Sequence, residues 1–362
     1  MEAQDRPLTH RTIWTPYFWC RCALILLVAF APGIAHGGGR EKTDIVYMKN
    51  GDKITGEIQS LTKGQLFIKP DYTTTAFILD WSKVDHIQSS QQFTIIDPEN
   101  AVYVGSISPG PQPNSVAVVN AATTTLPGKS VVEIDQLGRT FFRRMKGNIG
   151  LGLSFAKSNA QKNLTLQMGL GYQSNEKLFS FTSYSQFSSQ RETTDTDETT
   201  VKASLYQQLR KSNWYLGGLA NFLSSSEQKV DLRSTLGVGL ANRVVFTNRT
   251  NLSVVGGLAY TLEKDFADTT NPTRPNSLDS AFEVNYSTFR FDSITFDTVV
   301  WVYPSLTEPG HVRMTLNQDL YYKLPANFYV SAAFYDNYDN QPVVGAPKNN
   351  LGVSSTLGWS FP

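Results

Sequence analysis

From Arg143 to Phe361 the chain alternates apolar and polar residues with a period of two. Leu164, Leu166, Met168, Leu170 and Tyr172 interleave with Thr165, Gln167, Gly169, Gly171 and Gln173. The pattern returns at Leu232, Leu236, Val238, Leu240 and Val244 against Asp231, Arg233, Thr235, Gly237, Gly239 and Arg243. It returns again at Val312, Met314, Leu316, Leu320, Tyr322 and Leu324 against Arg313, Thr315, Asn317, Asp319, Tyr321 and Lys323. Successive side chains on a strand point to opposite faces, so each segment carries one apolar face and one polar or empty face. Twelve such segments are predicted, at 146–157, 161–174, 177–190, 198–210, 213–226, 230–246, 250–264, 278–291, 294–305, 311–324, 327–339 and 348–361. Most run to about ten residues or more, beyond the roughly five or six of soluble sheets, which argues against a soluble β-sandwich.

An even number of long amphipathic strands predicts a closed transmembrane antiparallel β-barrel. In lipid every backbone N–H and C=O must be paired, and only closure pairs them all, with apolar side chains outward and polar ones in the lumen. The connections agree. Asn175-Glu176, Lys211-Ser212, Thr247–Arg249, Asp292-Ser293 and Pro325-Ala326 read as tight turns, whereas Arg191–Asp197, Asp265–Ser277, Leu306–Gly310 and Asn340–Pro347 are longer. Short and long connections thus alternate as periplasmic turns and outer loops do, with Ser158–Ala160 as a short exception. Trp214, Tyr215, Tyr286, Tyr303, Tyr322, Tyr335 and Trp359 fall near strand ends, where amphipathic rings meet headgroups.

Residues 44–136 read differently, as short strands and tight turns. Asn50-Gly51 between Ile45–Met48 and Ile54–Ile58 predicts a type I′ hairpin, in which both central residues need positive φ. Strands follow at Gln65–Lys69, Ala76–Leu79 and Val84–Ile87, and a similar order recurs about fifty residues on. Glu99-Asn100 there replaces Asn-Gly, so any repeat is degenerate. Each unit is expected to be a small SH3/Sm-like β-sheet.

Ahead of this lie Ala23–Ala31, an apolar run too short to span a bilayer as a helix, and the basic residues Arg6, Arg11 and Arg21. That arrangement predicts a signal peptide over 1–35, cleaved after Ala35. The expected organisation is signal peptide 1–35, linker 36–43, periplasmic module 44–136, linker 137–145 and barrel 146–362. Both cysteines, Cys20 and Cys22, fall in the signal, which excludes thiol chemistry and disulfides from the rest. The 362 residues carry 17% charged and 12% aromatic side chains and a net charge of +1. That balance offers no basic excess for nucleic acid.

At the C-terminus Leu351, Val353, Leu357, Trp359 and Phe361 share one parity and end on an aromatic. Leu357, Trp359 and Phe361 resemble the terminal signal read by the barrel-assembly machinery, with Pro362 as a departure. Together with the stretch Asp44–Ile58, Trp81-Ser82-Lys83-Val84 and Ile87, they make the chain resemble the YdiY-like family of salt-induced outer-membrane proteins, an uncharacterised-domain family. The resemblance implies a periplasm-side β module followed by an outer-membrane barrel of a Gram-negative bacterium. It supplies no catalytic residues.

Candidate chemistry is sparse. Lys202, Arg210, Asp231, Arg233, Arg243, Glu263, Asp279, Glu283, Asp297, Arg313, Asp319 and Lys323 are expected to line the lumen, where opposite signs would pair and narrow it. Glu192, Asp195, Asp197, Glu198, Asp265, Asp268, Asp336 and Asp339 are expected to form a solvated acidic outer rim. His311 is the barrel's single histidine, read as a loop residue; Ser305 beside it raises the alternative of an outer-membrane hydrolase. His36 and His86 are isolated. The expectation is a non-enzymatic barrel without metal or cofactor, in contact with lipid and lipopolysaccharide, with a periplasmic partner for residues 44–136. Its role lies in envelope structure or stress adaptation, and a narrow pore for small polar solutes or ions is the alternative.

Overall fold

The computed structural model describes residues 42–137, 145–156, 161–174, 176–189, 195–210, 212–265, 276–289, 294–324, 327–342 and 345–361. The predicted signal peptide, most of both linkers, Cys20, Cys22, His36, Glu192, Asp268 and Pro362 lie outside them, as does the side chain of Asp265.

The first sheet comprises β1 (Asp44–Met48), β2 (Lys53–Thr62), β3 (Gln65–Lys69), β4 (Phe77–Asp80), β5 (Val84–Ile96), β6 (Val102–Pro109), β7 (Ser115–Val119), β8 (Thr123–Pro127) and β9 (Glu133–Gln136). The strand order is β4-β3-β2-β1-β5-β6-β7-β8, and β9 pairs with both β2 and β5. Strands β2, β1, β5 and β9 therefore close a small four-strand ring, with β4 and β8 as the outer edges. Ile58, Leu66, Ile68, Ile87, Phe93, Ile95, Ile107 and Ile134 fill one core inside it.

The β1–β2 hairpin is not the expected type I′. Gly51 alone of its turn has positive φ (93°), Gly51 N–H donates to Met48 O at 3.0 Å, and Met48 N–H donates to Asp52 O at 2.9 Å. That is a three-residue loop closed by a left-handed residue. The same turn recurs between β5 and β6: Asn100 has φ 60°, Asn100 N–H donates to Asp97 O at 3.1 Å, and Asp97 N–H donates to Ala101 O at 3.2 Å. Asparagine tolerates the left-handed region, so Glu99-Asn100 builds what Asn50-Gly51 builds. A 3₁₀ turn precedes the last strand of each half, Trp81–Lys83 before β5 and Gly128–Ser130 before β9, and the Trp81 indole donates to Gly128 O at 2.7 Å.

The second sheet is a closed antiparallel ring of twelve strands in chain order. These are β10 (Met145–Ala156), β11 (Gln161–Gln173), β12 (Lys177–Ser189), β13 (Thr196–Gln208), β14 (Trp214–Ser225), β15 (Val230–Phe246), β16 (Thr250–Asp265), β17 (Ser277–Phe289), β18 (Ile294–Pro304), β19 (Val312–Lys323), β20 (Phe328–Asp339) and β21 (Asn349–Phe361). Closure is made by β10 against β21, from Gly147↔Phe361 to Leu151↔Leu357. The chain is thus all-β, a twelve-strand barrel preceded by a small closed β module, as the alternation predicts.

Parity sets which face meets what. Leu236 and Val353 are 51% and 74% exposed on the outside, while Thr235 is 4% exposed inside. An exposed apolar band all round a closed barrel would be untenable in water and is what hydrocarbon requires, so these strands are membrane-spanning. No described helix is long and apolar enough to cross a membrane.

The module meets the turn end of the barrel. Asn248 Nδ2, in the β15–β16 turn, donates to Val131 O at 2.6 Å, and Asn100 Nδ2 donates to Asn213 Oδ1 at 2.7 Å. Arg243 Nη1 donates to Asn100 Oδ1 at 3.0 Å while its guanidinium lies 4.2 Å from the Phe246 ring centroid. Phe246 packs with Ile96 and Val132 of the module. Gly64 has φ 68°, and a Cβ there would come within 2.8 Å of Asn248 O, so this contact needs a glycine on both grounds.

Candidate functional site: the barrel lumen

Inward side chains build three levels. At the loop end, two polar struts cross the ring. Arg233 on β15 lies 3.6 Å from Asp339 on β20, and Asn337 Nδ2 on β20 donates to Glu198 Oε1 on β13 at 3.0 Å. Glu198 is held from a third side by Asn350 Nδ2 at 2.5 Å. Around these struts the charges are shared: Arg233 Nε donates to Glu263 at 2.5 Å, Arg313 pairs with Asp279, and a second Arg313 nitrogen lies 4.0 Å from Glu263. Thr261 and Ser277 hydroxyls also donate to Asp279, at 3.0 and 3.1 Å. All these groups are buried or nearly so, and a charge in that position is tolerated only when paired and hydrogen-bonded.

His311 completes this level. Nδ1 lies 2.6 Å from Glu308 and Nε2 lies 2.8 Å from Asp339, and the residue is buried. It is not the solvated loop residue expected from the sequence. With both nitrogens on carboxylates the ring has none left to take a proton from Ser305, whose hydroxyl accepts from Glu308 N–H at 3.1 Å.

The middle level is a cavity of about 660 Å³. Tyr206, Tyr215, Leu219, Val255, Val299, Trp301 and Tyr303 form an apolar patch seated against the small residues Ala241, Ala259 and Ala281, with Glu283 and Asn285 of β17 beside Trp301 and Val299. Trp301 and Tyr303 stack with ring centroids 5.5 Å apart. Lys202 of β13 also lines the cavity, as do the acids Glu198, Glu283 and Asp319. The third level lies at the turn end, where Leu61, Thr62, Glu133 and Asp135 of the module line the lumen beside Lys146 and Arg243.

Of the charges expected in the lumen, Lys202, Arg243, Glu283 and Asp319 line the cavity, and Arg233, Glu263, Asp279 and Arg313 form the loop-end network. Asp297 faces inward directly across from Asp319. Three placements correct the sequence reading. Arg210 sits exposed in the β13–β14 turn with φ 46°, beyond the end of its strand. Asp231 is turned to the outer surface by the irregularity between Val230 and Leu232, and pairs there with exposed Lys264 at 2.8 Å. Lys323 reaches out of the mouth to Gln65 Oε1 at 2.8 Å.

The acidic rim is corrected too, since Glu198 and Asp339 are buried in the lumen network. Tyr215, Tyr303 and Tyr335 point into the lumen rather than to headgroups, because their odd positions share the inward parity. Among Leu357, Trp359 and Phe361, the first two are exposed outward and all three lie on β21.

A family model described as "Protein of unknown function, DUF481" matches residues 149–361, more than half of the chain and nearly all of the barrel. The chain belongs to this DUF481 family. No curated protein matches the sequence. Solved structures similar to the chain include the translocator domain of the autotransporter NalP from Neisseria meningitidis, at 15% identity over 59% of this chain and 86% of that one, with a TM-score of 0.31. The KdgM porin is similar at 10% identity over 60% and 98%, TM-score 0.32. The NanC porin is similar at 12% over 60% and 99%, TM-score 0.37. The barrel assignment for this DUF481 chain rests on its own closed ring of strand pairs and its apolar exterior.

Proposed function

We propose that the chain is a non-enzymatic outer-membrane barrel whose lumen is held shut at the loop end, with its module working on the periplasmic side. The observation that carries this reading is the pair of struts meeting on β20, Arg233–Asp339 and Glu198–Asn337, because each joins strands five steps apart in a ring of twelve. An open pore would leave that chord to water. A closed lumen with a docked double-unit module suits a part in envelope structure or stress adaptation, and the likeness to the YdiY-like salt-induced proteins supports the latter. Lipid, lipopolysaccharide and the barrel-assembly machinery are its proposed envelope partners.

The second reading, a narrow pore for small polar solutes or ions, is favoured by the cavity of about 660 Å³ beneath the struts, which opens on release of the loop end. Planar-bilayer recording of the refolded chain separates the two. A closed lumen gives little or no steady conductance; a large, stable conductance in the native chain overturns it.

A further inference from the structure

The cavity carries an aromatic patch bordered by polar side chains, and we propose that it is a binding site for a neutral carbohydrate about one to three rings long, entered from the module side. The proposal rests on the closed-lumen reading above, in which the struts bar the loop end and a ligand enters past Lys146 and the module. A volume of about 660 Å³ lies within the ~300–1,000 Å³ of small-molecule sites. Such a volume is too large for side-chain packing, and its lining carries too many polar groups for an acyl chain.

An apolar patch and polar groups lie side by side in the lining. On β18 the inward residues Val299, Trp301 and Tyr303 are apolar, and on the next strand the inward residues Thr315, Asn317 and Asp319 are polar. Val299 lies across from Asn317 on β19 and from Asn285 on β17, and Trp301 across from Thr315 and Glu283, so polar side chains border the apolar patch on both sides. A lumen that held only water would gain nothing from an aromatic wall, because each square ångström of apolar surface left wet is unfavourable. A sugar ring has the matching shape: an axial C–H face that lies flat on an aromatic ring, and an equatorial rim of hydroxyls that donate and accept at once. Amides and carboxylates such as Asn317, Asn285, Glu283 and Asp319 satisfy that rim, since between them they offer both donors and acceptors.

Charge narrows the class. Described lining acids are Glu133, Asp135, Glu198, Glu283 and Asp319, against the bases Lys146, Lys202 and Arg243. Acids outnumber bases five to three along the described lining, so the site as a whole disfavours anions. An acidic sugar or a phosphate is thereby disfavoured and a neutral glycan is not.

The test uses the refolded full chain in detergent micelles, titrated with maltotriose, cellobiose and chitobiose and, as the anionic counterpart, digalacturonate. Trp301 is the tryptophan in the cavity, so at least one neutral sugar is expected to shift the emission and to give a saturable heat in calorimetry. Trp301→Phe should abolish the emission change and weaken the calorimetric affinity by about tenfold, the loss of much of one ring's contact. Asn317→Leu, on the neighbouring strand, should weaken it comparably and guards against a Trp301 variant that fails to fold. The proposal is overturned if no neutral sugar binds, if digalacturonate binds as well as the neutral sugars, or if both variants bind like the native chain. Absence of binding with low conductance refutes the sugar site alone. High conductance that a neutral sugar blocks refutes the closed lumen and leaves the site standing.

Discussion

Arg233 and Asp339 approach to 3.6 Å from strands five steps apart in a twelve-strand ring, so a single ion pair spans the lumen near its loop end. Neither residue is alone there: Arg233 also bonds Glu263, and Asp339 also meets His311. Paired charges of this kind add less net stability than their Coulomb attraction suggests, but removing one partner leaves the other desolvated and uncompensated. Their arrangement therefore reads as a lock more than as a strut against unfolding.

Replacing Arg233 and Arg313 together by Ser should unlock it. Two positive charges leave while Glu263, Asp279 and Asp339 remain, so conductance should rise and selectivity should move toward cations. The barrel should also lose about 3–5 kcal/mol, mainly because fully buried Asp279 loses its cation. Bilayer recording with a salt gradient, beside urea titration of the refolded chain, measures both. An unchanged conductance would show that the network does not block the path.

Facing can be tested by adding a charge. Leu236→Arg, on the lipid face near the middle of β15, should destabilise the barrel by about 2–4 kcal/mol, whereas Thr182→Arg should lose less because Thr182 is an inward residue with water beside it. Thr235 would be a poor comparison despite its inward parity, because it is packed against Thr261 at 3.2 Å. Equal losses at Leu236 and Thr182 would contradict the register.

Strand number, parity and the outward band were legible in the sequence because a period of two survives wherever one face meets lipid. The lumen was legible only in part. Val299 to Tyr303 is apolar on both parities, so nothing in the pattern separates the lumenal Val299, Trp301 and Tyr303 from the lipid-facing Val300 and Val302. Glu198 and Asp339 lie within two residues or so of loops, and position alone made them look solvated; only the cross-lumen partners Asn337, Asn350 and Arg233 reveal otherwise. Asp231 failed for a local reason, a strand irregularity that reverses parity and leaves no mark in composition. In the module, Asn100 shows how a turn takes the same geometry without a glycine, which hides a structural recurrence from a motif search.

His311 should make the loop end sensitive to pH. Glu308 and Asp339 both offer acceptors, and an imidazole donates from both nitrogens only when doubly protonated. The contact is therefore complete in acid and loses one hydrogen bond as the ring deprotonates, while Arg233 stays beside Asp339. Conductance, or hydrogen exchange around Ser305–His311, should rise with pH in the native chain. His311→Gln should flatten the dependence. A rise toward acid pH instead would mean that carboxylate protonation, not the imidazole, governs this end.

Module docking turns on Asn100, whose side chain accepts from Arg243 and donates to Asn213 while its backbone holds φ 60°. Alanine there would confound two effects, because a left-handed φ is strained for a residue with a Cβ and no local hydrogen bonds. Asn100→Gly keeps the turn and removes only the two contacts, so any effect belongs to docking. Each hydrogen bond contributes about 0.5–1.5 kcal/mol, more for the one from the Arg243 guanidinium, so the module should loosen from the barrel by roughly 2 kcal/mol. Arg243→Ala should do more, since it also ends the stacking on Phe246 and Tyr215 at 4.2 and 5.4 Å. The readout is amide exchange at Ile96 and Val132, which pack on Phe246 across the contact. Exchange should quicken there in both variants while the barrel keeps its heat-modifiable mobility on gels, because its closure through β10 and β21 does not involve the module. Unaltered exchange at those two amides would show that the module is held by other contacts, with Asn248 and Val131 the next pair to break.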